Sequence, residues 1–309
     1  MFDFNGKTVL ITGASYGLGE VFAQRFAEAG AELVLTARST ELLEAVAENC
    51  RNNGSPKVTV VTGDVSVEAD VQGVVAAAIE NHGRIDVLVN NAGIGEIRGF
   101  AAEQFPTETF DQIVAVDLKG AWLYLRDVGK HMLEAGGGSI VSIASVLGEG
   151  GFELDVIAYT AAKGALVNLT KQLGCEWADR GVRVNSVSPG YILTDMIRPG
   201  VEGTPTGDYI NSRTPMRRLG EPDEVANAVM FLASDLASYV TAVDFRVDGG
   251  MNAGRGWWQV KPIHYSWNAD TMPQVGDVYP GVVPQPPEYE PFLGGIPGVH
   301  YPMPEGMEG

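Results

Sequence analysis

Tyr159 and Lys163 stand four residues apart in the run YTAAK. On a helix, residues at positions i and i+4 lie one above the other on the same face, so the lysine nitrogen can approach the tyrosine oxygen. A free phenol has a pKa of about 10 and is a poor proton acceptor at neutral pH, but a neighbouring positive charge favours the phenolate. The pair predicts a tuned acid or base, although such a short motif is weak evidence by itself.

Seven short apolar runs predict the strands of a parallel sheet. They are continuous rather than alternating, as expected for strands buried on both faces, and helical patterns separate them, as in repeated βαβ units. The runs cover residues 8–12, 31–36, 58–62, 85–90, 139–143, 182–188 and 244–249, and the predicted helices cover 17–29, 40–52, 67–81, 107–135, 158–180 and 222–234. The predicted fold class is α/β, a Rossmann-type doubly wound parallel sheet with helices on both faces, followed by an irregular C-terminal arm.

A glycine-rich turn follows the first predicted strand and opens the first predicted helix. Gly13, Gly17 and Gly19 fall within this turn, in TGASYGLGE. Glycines let the backbone approach a pyrophosphate closely, and a helix N-terminus offers N–H donors and a favourable dipole. Because the turn stands between a strand and a helix, it predicts a dinucleotide site.

The composition limits the possible partners. The chain has 309 residues, a net charge of −18 at pH 7 and 45% hydrophobic residues, enough for a large buried core. An acidic balance argues against nucleic-acid binding, which needs lysine and arginine for phosphate neutralisation. Two distant cysteines and four scattered histidines match no metal-ligand spacing, so no metal is expected. With no signal peptide or membrane span in the sequence, we expect a cytoplasmic protein.

The last part of the chain has a different composition. Residues 254–309 hold 10 of the 17 prolines and three of the five tryptophans, without a run typical of a long helix or strand. The predicted organisation is a catalytic domain at 1–253 and an extension at 254–309. The aromatic residues of the extension favour docking over a free linker, either as a lid on an active site or as a clamp between subunits.

Four motifs follow one another along the chain: TGASYGLG at 12–19, NNAG at 90–93, Ser145 in SIASVLG, and YTAAK at 159–163. In this order they resemble the motifs of the short-chain dehydrogenases/reductases. Four further matches are GDV at 63–65, SPGYILTDM at 188–196, RLGEPDEVA at 218–226 and VDGG at 247–250. The resemblance covers residues 1 to about 253 and leaves the extension outside it.

This resemblance implies an oxidoreductase that transfers a hydride between NADP(H) or NAD(H) and a secondary alcohol or ketone. It implies that Tyr159 is the general acid or base, that Lys163 favours the phenolate and binds the nicotinamide ribose, and that Ser145 donates a hydrogen bond to the substrate oxygen. A homotetramer, in which the helices at 107–135 and 158–180 pack across a two-fold axis, is implied as well. Two alternatives stay open: a non-catalytic sensor or scaffold, and an epimerase or dehydratase with the same cofactor.

One catalytic position departs from the family pattern. The family has an asparagine in VNLKG, whereas this chain reads VDLKG, with Asp117. An aspartate keeps the acceptor oxygen but loses the amide donors and can carry a charge. If Asp117 is ionised near Lys163 it favours the ammonium form, and if it is neutral it can donate as the amide does.

The end of the second strand predicts NADP rather than NAD. It reads LTARS, with Ala37 where NAD-binding relatives carry aspartate, and Arg38 follows, suited to the 2′-phosphate. The other cofactor-binding positions implied by the resemblance are Ser15, Tyr16, Leu18, Asp64, Val65, Asn91, Ala92, Gly93, Pro189, Gly190, Ile192 and Thr194, with Tyr159 and Lys163. The substrate, a small alcohol or ketone, is expected to contact the loops at 94–99, 146–156 and 194–219.

Overall fold

The computed structural model describes residues 2–95, 101–151, 156–194 and 197–253, with two short strands beyond them. All seven predicted strands are present: β1 Thr8–Thr12, β2 Glu32–Ala37, β3 Val58–Thr62, β4 Val87–Asn90, β5 Gly138–Ile143, β6 Val182–Pro189 and β7 Asp244–Val247. They form one sheet in the order β3-β2-β1-β4-β5-β6-β7, and every neighbouring pair is parallel. The predicted doubly wound fold is confirmed.

Helices cover both faces of this sheet because its strands are apolar on both sides. In β1, Val9 and Ile11 point into one buried cluster and Leu10 into the other. The helices over the first cluster are α1 (Gly17–Glu28), α2 (Thr40–Asn52) and α9 (Pro222–Ala233); those over the second are α3 (Glu68–His82), α5 (Ala121–Ala135) and α6 (Ile157–Trp177). The alternation of side chains along each strand therefore builds two cores, one on each side.

The predicted helix at 107–135 is not continuous. Helix α4 spans Thr107–Val114, a π-helical turn spans Ala115–Gly120, and α5 follows directly. Gly120 ends the turn where a Cβ atom would lie 2.8 Å from the Val65 carbonyl oxygen, so only a glycine lets the two segments approach so closely. The π turn carries Asp117, and helix periodicity in the sequence does not distinguish such a turn from an α-helix.

Two helices between β6 and α9 were not predicted. They are α7 (Arg198–Val201) and α8 (Pro205–Arg213), within the segment expected to border the substrate. Helix α8 begins with a Thr204 side-chain cap and a proline in the first turn. The sequence of α8 is mostly polar and has no clear apolar stripe, so the hydrophobic pattern did not predict this helix.

The start of α9 matches its sequence signals. Glu221 and Glu224 form a reciprocal capping box, with Pro222 in the first turn. Arg218 donates two hydrogen bonds to the Glu224 carboxylate, at 2.6 and 2.7 Å. These bonds, together with one from the Glu221 N–H, lower the pKa of Glu224 to about 2. The helix is thus joined to the preceding loop at its first turn.

The chain divides into two units, Met1–Asn252 and Ala253–Gly309. Within the second, Val283–Pro284 (β8) pairs antiparallel with Val299–His300 (β9). The tryptophans and tyrosines on which the lid and clamp hypotheses depend lie outside the described residues. Among the helices that are described, none has the length and apolarity needed to cross a bilayer.

Candidate active site

The predicted site residues follow the carboxyl ends of the strands. Because all strands are parallel, these ends share one edge of the sheet. The strand order reverses between β1 and β4, the position where doubly wound sheets open a crevice for a ligand. The glycine-rich turn follows β1 and the NNAG segment follows β4, so the two motifs lie side by side at this crevice.

The glycines of the first turn are required by its backbone. Gly13 and Gly17 have φ angles of +64° and +62°, a region that other residues adopt with difficulty. Gly19 sits so close to the turn that a Cβ atom on it would lie 2.1 Å from the Gly13 carbonyl oxygen. The structure thus forms the tight turn and close helix approach that a pyrophosphate site needs.

Helix α1 begins at this turn without a side-chain cap. The residue before it, Tyr16, is extended and half exposed, and no side chain in the described part of the chain caps the start of the helix. Leu18 lies in the first turn of α1, and Ser15 is buried just before it. An uncapped N-terminus at the crevice is suited to an anion such as a phosphate.

Asn91 connects the NNAG segment to the glycine-rich turn. Its side-chain nitrogen donates to the carbonyl oxygens of Thr12 and Gly13 at 2.9 and 3.1 Å. In return, Thr12 Oγ1 accepts from the backbone N–H of Asn91 and of Ala92, both at 2.9 Å. Six polar atoms therefore fix the two halves of the crevice, and Thr12 is a residue of this crevice that the sequence did not single out.

Arg38 and Asp64 follow β2 and β3 at the adjacent end of the crevice. Within the part of the chain that the structure describes, Arg38 is exposed and no hydrogen bond or ion pair holds it. Hydrogen bonds from the Ser66 side chain and backbone lower the pKa of Asp64, and the charge of Arg38 lowers it further. Val65 is buried against Gly120.

The last of the positions predicted to bind the cofactor follow β6. Pro189 ends the strand, and Gly190 donates to the Val247 carbonyl at 3.0 Å. Ile192 bridges to Gly220, and the carbonyl of Thr194 accepts from two following N–H groups. These residues start the segment that leads into α7.

Tyr159 and Lys163 lie on one face of α6, as predicted. The Lys163 Nζ is 5.5 Å from the centroid of the Tyr159 ring. Lys163 is only 4% exposed, and its ammonium group donates to the Ile143 carbonyl at the end of β5 at 3.1 Å. Burial alone would lower the pKa of Lys163, but the charges of Asp117 and Tyr159 oppose this and hold it above its ordinary value. The lysine therefore stays an ammonium ion.

Ser145 is positioned by backbone contact with α6. It precedes a 3₁₀ turn at Val146–Glu149, and its hydroxyl accepts from the Leu147 N–H at 3.2 Å. A Cβ atom on Gly148 would lie 2.7 Å from the Gly164 nitrogen, and one on Gly164 would lie 2.9 Å from the Gly148 oxygen. The two glycines let the turn rest directly on the helix beside Lys163. The Ser145 hydroxyl caps the turn as an acceptor, which leaves its proton for donation to a ligand.

Asp117 lies in the π turn with its carboxylate against Lys163. The distance from its Oδ2 to the Lys163 Nζ is 3.2 Å. Its Oδ1 accepts from the backbone N–H of Ile94 at 2.8 Å. The structure thus joins Asp117, Lys163 and Tyr159 in one group at the crevice.

A second cluster connects the Ser145 turn to β7. Glu149, at the end of that turn, pairs with Arg246 at 2.6 Å. Asp244 accepts from the Ser186 and Ser188 hydroxyls at 2.5 and 2.9 Å. Burial raises the pKa of Asp244, and the neighbouring Glu149 carboxyl raises it further against the effect of the two serines. The folded protein therefore favours a protonated Asp244 more than the unfolded chain does.

Asp244→Asn is expected to stabilise the protein at pH 8, raising the Tm by about 2 °C or more. A raised pKa gives Asp244 a stabilising effect that is complete below its ordinary pKa and is lost as the pH rises through its folded value. An amide carries no charge at any pH, so the gain should vanish near pH 4. Calorimetry at both pH values checks this, with exposed Asp179→Asn as the control. A variant less stable than the parent at pH 8 would contradict the account.

Comparison with known proteins shows the family of the chain. A family model described as enoyl-(acyl carrier protein) reductase matches residues 13–252. The D-threitol dehydrogenase of Mycolicibacterium smegmatis is 38% identical over 251 residues, which cover 81% of this chain and 95% of that protein. The chain belongs to the short-chain dehydrogenase/reductase family. Two solved structures illustrate how far the likeness extends.

The crystal structure of levodione reductase matches with a TM-score of 0.77 and 38% identity, covering 81% of this chain and 99% of that one. A gluconate 5-dehydrogenase from Burkholderia cenocepacia, solved with NADP and tartrate, matches with a TM-score of 0.76 and 34% identity, covering 82% of this chain and 97% of that one. The predicted class of enzyme is confirmed: this short-chain dehydrogenase/reductase transfers a hydride between a nicotinamide cofactor and an alcohol or ketone.

Proposed function

We propose that the chain is an NADP-preferring dehydrogenase or carbonyl reductase in which Tyr159 is the general acid or base. The observation that carries this proposal is the buried ammonium of Lys163 beside the Tyr159 ring, one helical turn away. A shielded positive charge favours a phenolate, and a phenolate is suited to accept the proton of an alcohol. We assign this activity to residues 1–253.

Each catalytic residue has one role in hydride transfer. When bound, the nicotinamide supplies the hydride acceptor for oxidation or the hydride donor for reduction. Tyr159 takes the hydroxyl proton of the alcohol, or returns it to the carbonyl oxygen in the reverse direction. Ser145 donates a hydrogen bond to the same oxygen and so stabilises the charge that develops on it. The charge of Lys163 favours the phenolate form of Tyr159, and Asp117 holds Lys163 in place through an ion pair.

The crevice fits a dinucleotide on structural grounds. Gly13, Gly17 and Gly19 leave the space that a pyrophosphate needs, and the uncapped start of α1 offers its N–H groups. The other residues that we assign to the cofactor are Ser15, Tyr16, Leu18, Asp64, Val65, Asn91, Ala92, Gly93, Pro189, Gly190, Ile192 and Thr194. A preference for NADP is supported by Arg38, which is exposed and is held by no hydrogen bond or ion pair among the residues described, and by the NADP in the gluconate 5-dehydrogenase.

For the substrate we propose a polyol, a sugar acid or a cyclic ketone. The proposal follows the names of the relatives, which act on D-threitol, gluconate and levodione. The test is to incubate the full-length protein with NADP⁺ or NAD⁺ and D-threitol, gluconate or cyclohexanol, and with NADPH and levodione, while following the absorbance of the reduced cofactor. Absence of turnover with a wider series of secondary alcohols and ketones would overturn the proposal.

We further propose a cytoplasmic homotetramer. The outer surface of α5 and α6 supports it, because a groove there exposes Trp122 and is bordered by Trp177 and by the charged residues Arg126, Lys130, Glu134 and Arg180. Mixed apolar and charged surfaces of this kind suit a self-complementary two-fold contact. Light scattering of the purified protein tests the proposal, and a monomer would exclude it.

A further inference from the structure

The carboxylate of Asp117 is completely buried and holds a direct contact with Lys163. Its side chain is 0% exposed, and that of Lys163 is 5% exposed. One oxygen is satisfied by the Ile94 N–H, whereas Oδ2 has no well-formed hydrogen bond within the described ranges and faces the ammonium at 3.2 Å. The main interaction of that oxygen is therefore the charge of Lys163.

Gly93 closes the space around this ion pair. A Cβ atom on Gly93 would lie 3.0 Å from Asp117 Oδ2 and 3.2 Å from Lys163 Nζ. The backbone of the NNAG segment thus covers both charged groups and shields them from solvent. Two charges in such a place act on their neighbours more strongly than they would in water.

Lys163 is the common neighbour of Asp117 and Tyr159. Lys163 is the positive group next to Tyr159, and Asp117 is the negative group next to Lys163. The ammonium favours the phenolate, and a carboxylate close behind it reduces this effect. In the described part of the chain, the ionisable groups that act on Lys163 are Asp117 from the π turn and Tyr159 from α6, while Lys119 on the π turn is exposed.

We propose that Asp117 is a positioning residue. Through its ion pair with Lys163, its charge sets the pH range over which the enzyme is active. This inference rests on the proposed function of Tyr159. The carboxylate weakens the effect of the ammonium on Tyr159, so alcohol oxidation begins at a higher pH than with a neutral residue at position 117. It also retains the proton on Lys163, so activity persists to a higher pH.

Asp117→Asn separates charge from shape. The amide keeps an oxygen for the Ile94 N–H and nearly the same volume, but it removes the negative charge. We expect both limbs of the pH profile of kcat/KM for alcohol oxidation to move to lower pH, each by about one unit. A charge at this distance shifts the pKa of its neighbour by about 1–3 units. The substrate is the best one found in the panel above, at saturating cofactor.

Asp111→Asn is the matched control. It removes the same charge from an exposed position of α4, six residues earlier in the chain, and should leave the profile in place. A lower rate for Asp117→Asn with both limbs unmoved would mean a purely structural role and would overturn the proposal. Equal movement in both variants would overturn it as well, because the shift would then be a general effect of net charge.

A stability measurement tests whether the ion pair exists and does not require enzyme activity. Thermal unfolding of the parent, Asp117→Asn, Lys163→Met and the double variant forms a double-mutant cycle. A clear coupling between the two positions at pH 7 supports the charged pair. Additive effects overturn it. If no substrate is turned over, the proposed function fails while this cycle still decides whether the ion pair exists.

Discussion

Replacing Tyr159 with phenylalanine is expected to lower the kcat of alcohol oxidation by at least about 10²-fold, within the range usual for loss of a general acid or base. The substitution removes one oxygen atom and keeps the ring beside Lys163. Because the crevice for the cofactor is built mainly from backbone and glycines, the Kd for NADP⁺ should change little. Steady-state kinetics and a fluorescence titration with NADP⁺ measure the two quantities separately.

Tyr239→Phe provides the comparison, since Tyr239 is fully exposed and lies beyond α9. It should behave as the parent enzyme does. Near-normal turnover by Tyr159→Phe, with an unchanged circular dichroism spectrum, would show that another group transfers the proton.

Arg38→Asp is expected to lower the ratio of kcat/KM with NADP⁺ to that with NAD⁺ by at least about 100-fold, which corresponds to about 2.8 kcal/mol at 1.4 kcal/mol for each factor of ten. The arginine is exposed at the end of β2, beside Asp64, where the adenosine ribose of a dinucleotide is expected. The variant replaces a charge-assisted partner of the 2′-phosphate with a group that repels it.

Arg51→Asp is a suitable control because it reverses an equal charge on the exposed end of α2. It should leave the ratio nearly unchanged. A parent enzyme that already uses NAD⁺ better than NADP⁺ would refute the assignment of Arg38, whatever the variant does.

The sequence was sufficient to predict the sheet because its signals are local. Each strand is a continuous apolar run, and Gly13 and Gly17 mark a turn with positive φ angles. Helices α7 and α8 were missed because neither has a strong apolar stripe. The π turn was missed because helix periodicity does not distinguish it from an α-helix. The close approach of Gly120 to Val65 could not be predicted either, because it joins residues far apart in the chain.

The same distinction applies to the site. The spacing of Tyr159 and Lys163 predicted their shared face, since helix geometry fixes it. The sequence left the state of Asp117 open, and it gave no sign that Thr12 receives two N–H donors or that Ile143 accepts from Lys163. These contacts join different strands and helices, so only the assembled sheet defines them.

The contact between Gly148 and Gly164 bears on how such an enzyme acquires new substrates. Ser145 is placed by backbone lying on backbone, and neither glycine can gain a carbon atom without displacing the other segment. Random exchange of pocket residues can therefore alter specificity on either side of the serine while these two positions stay fixed. In directed evolution of this chain, libraries should therefore vary the loops that reach the substrate. They should exclude the two glycines, which keep the Ser145 hydroxyl positioned beside Lys163.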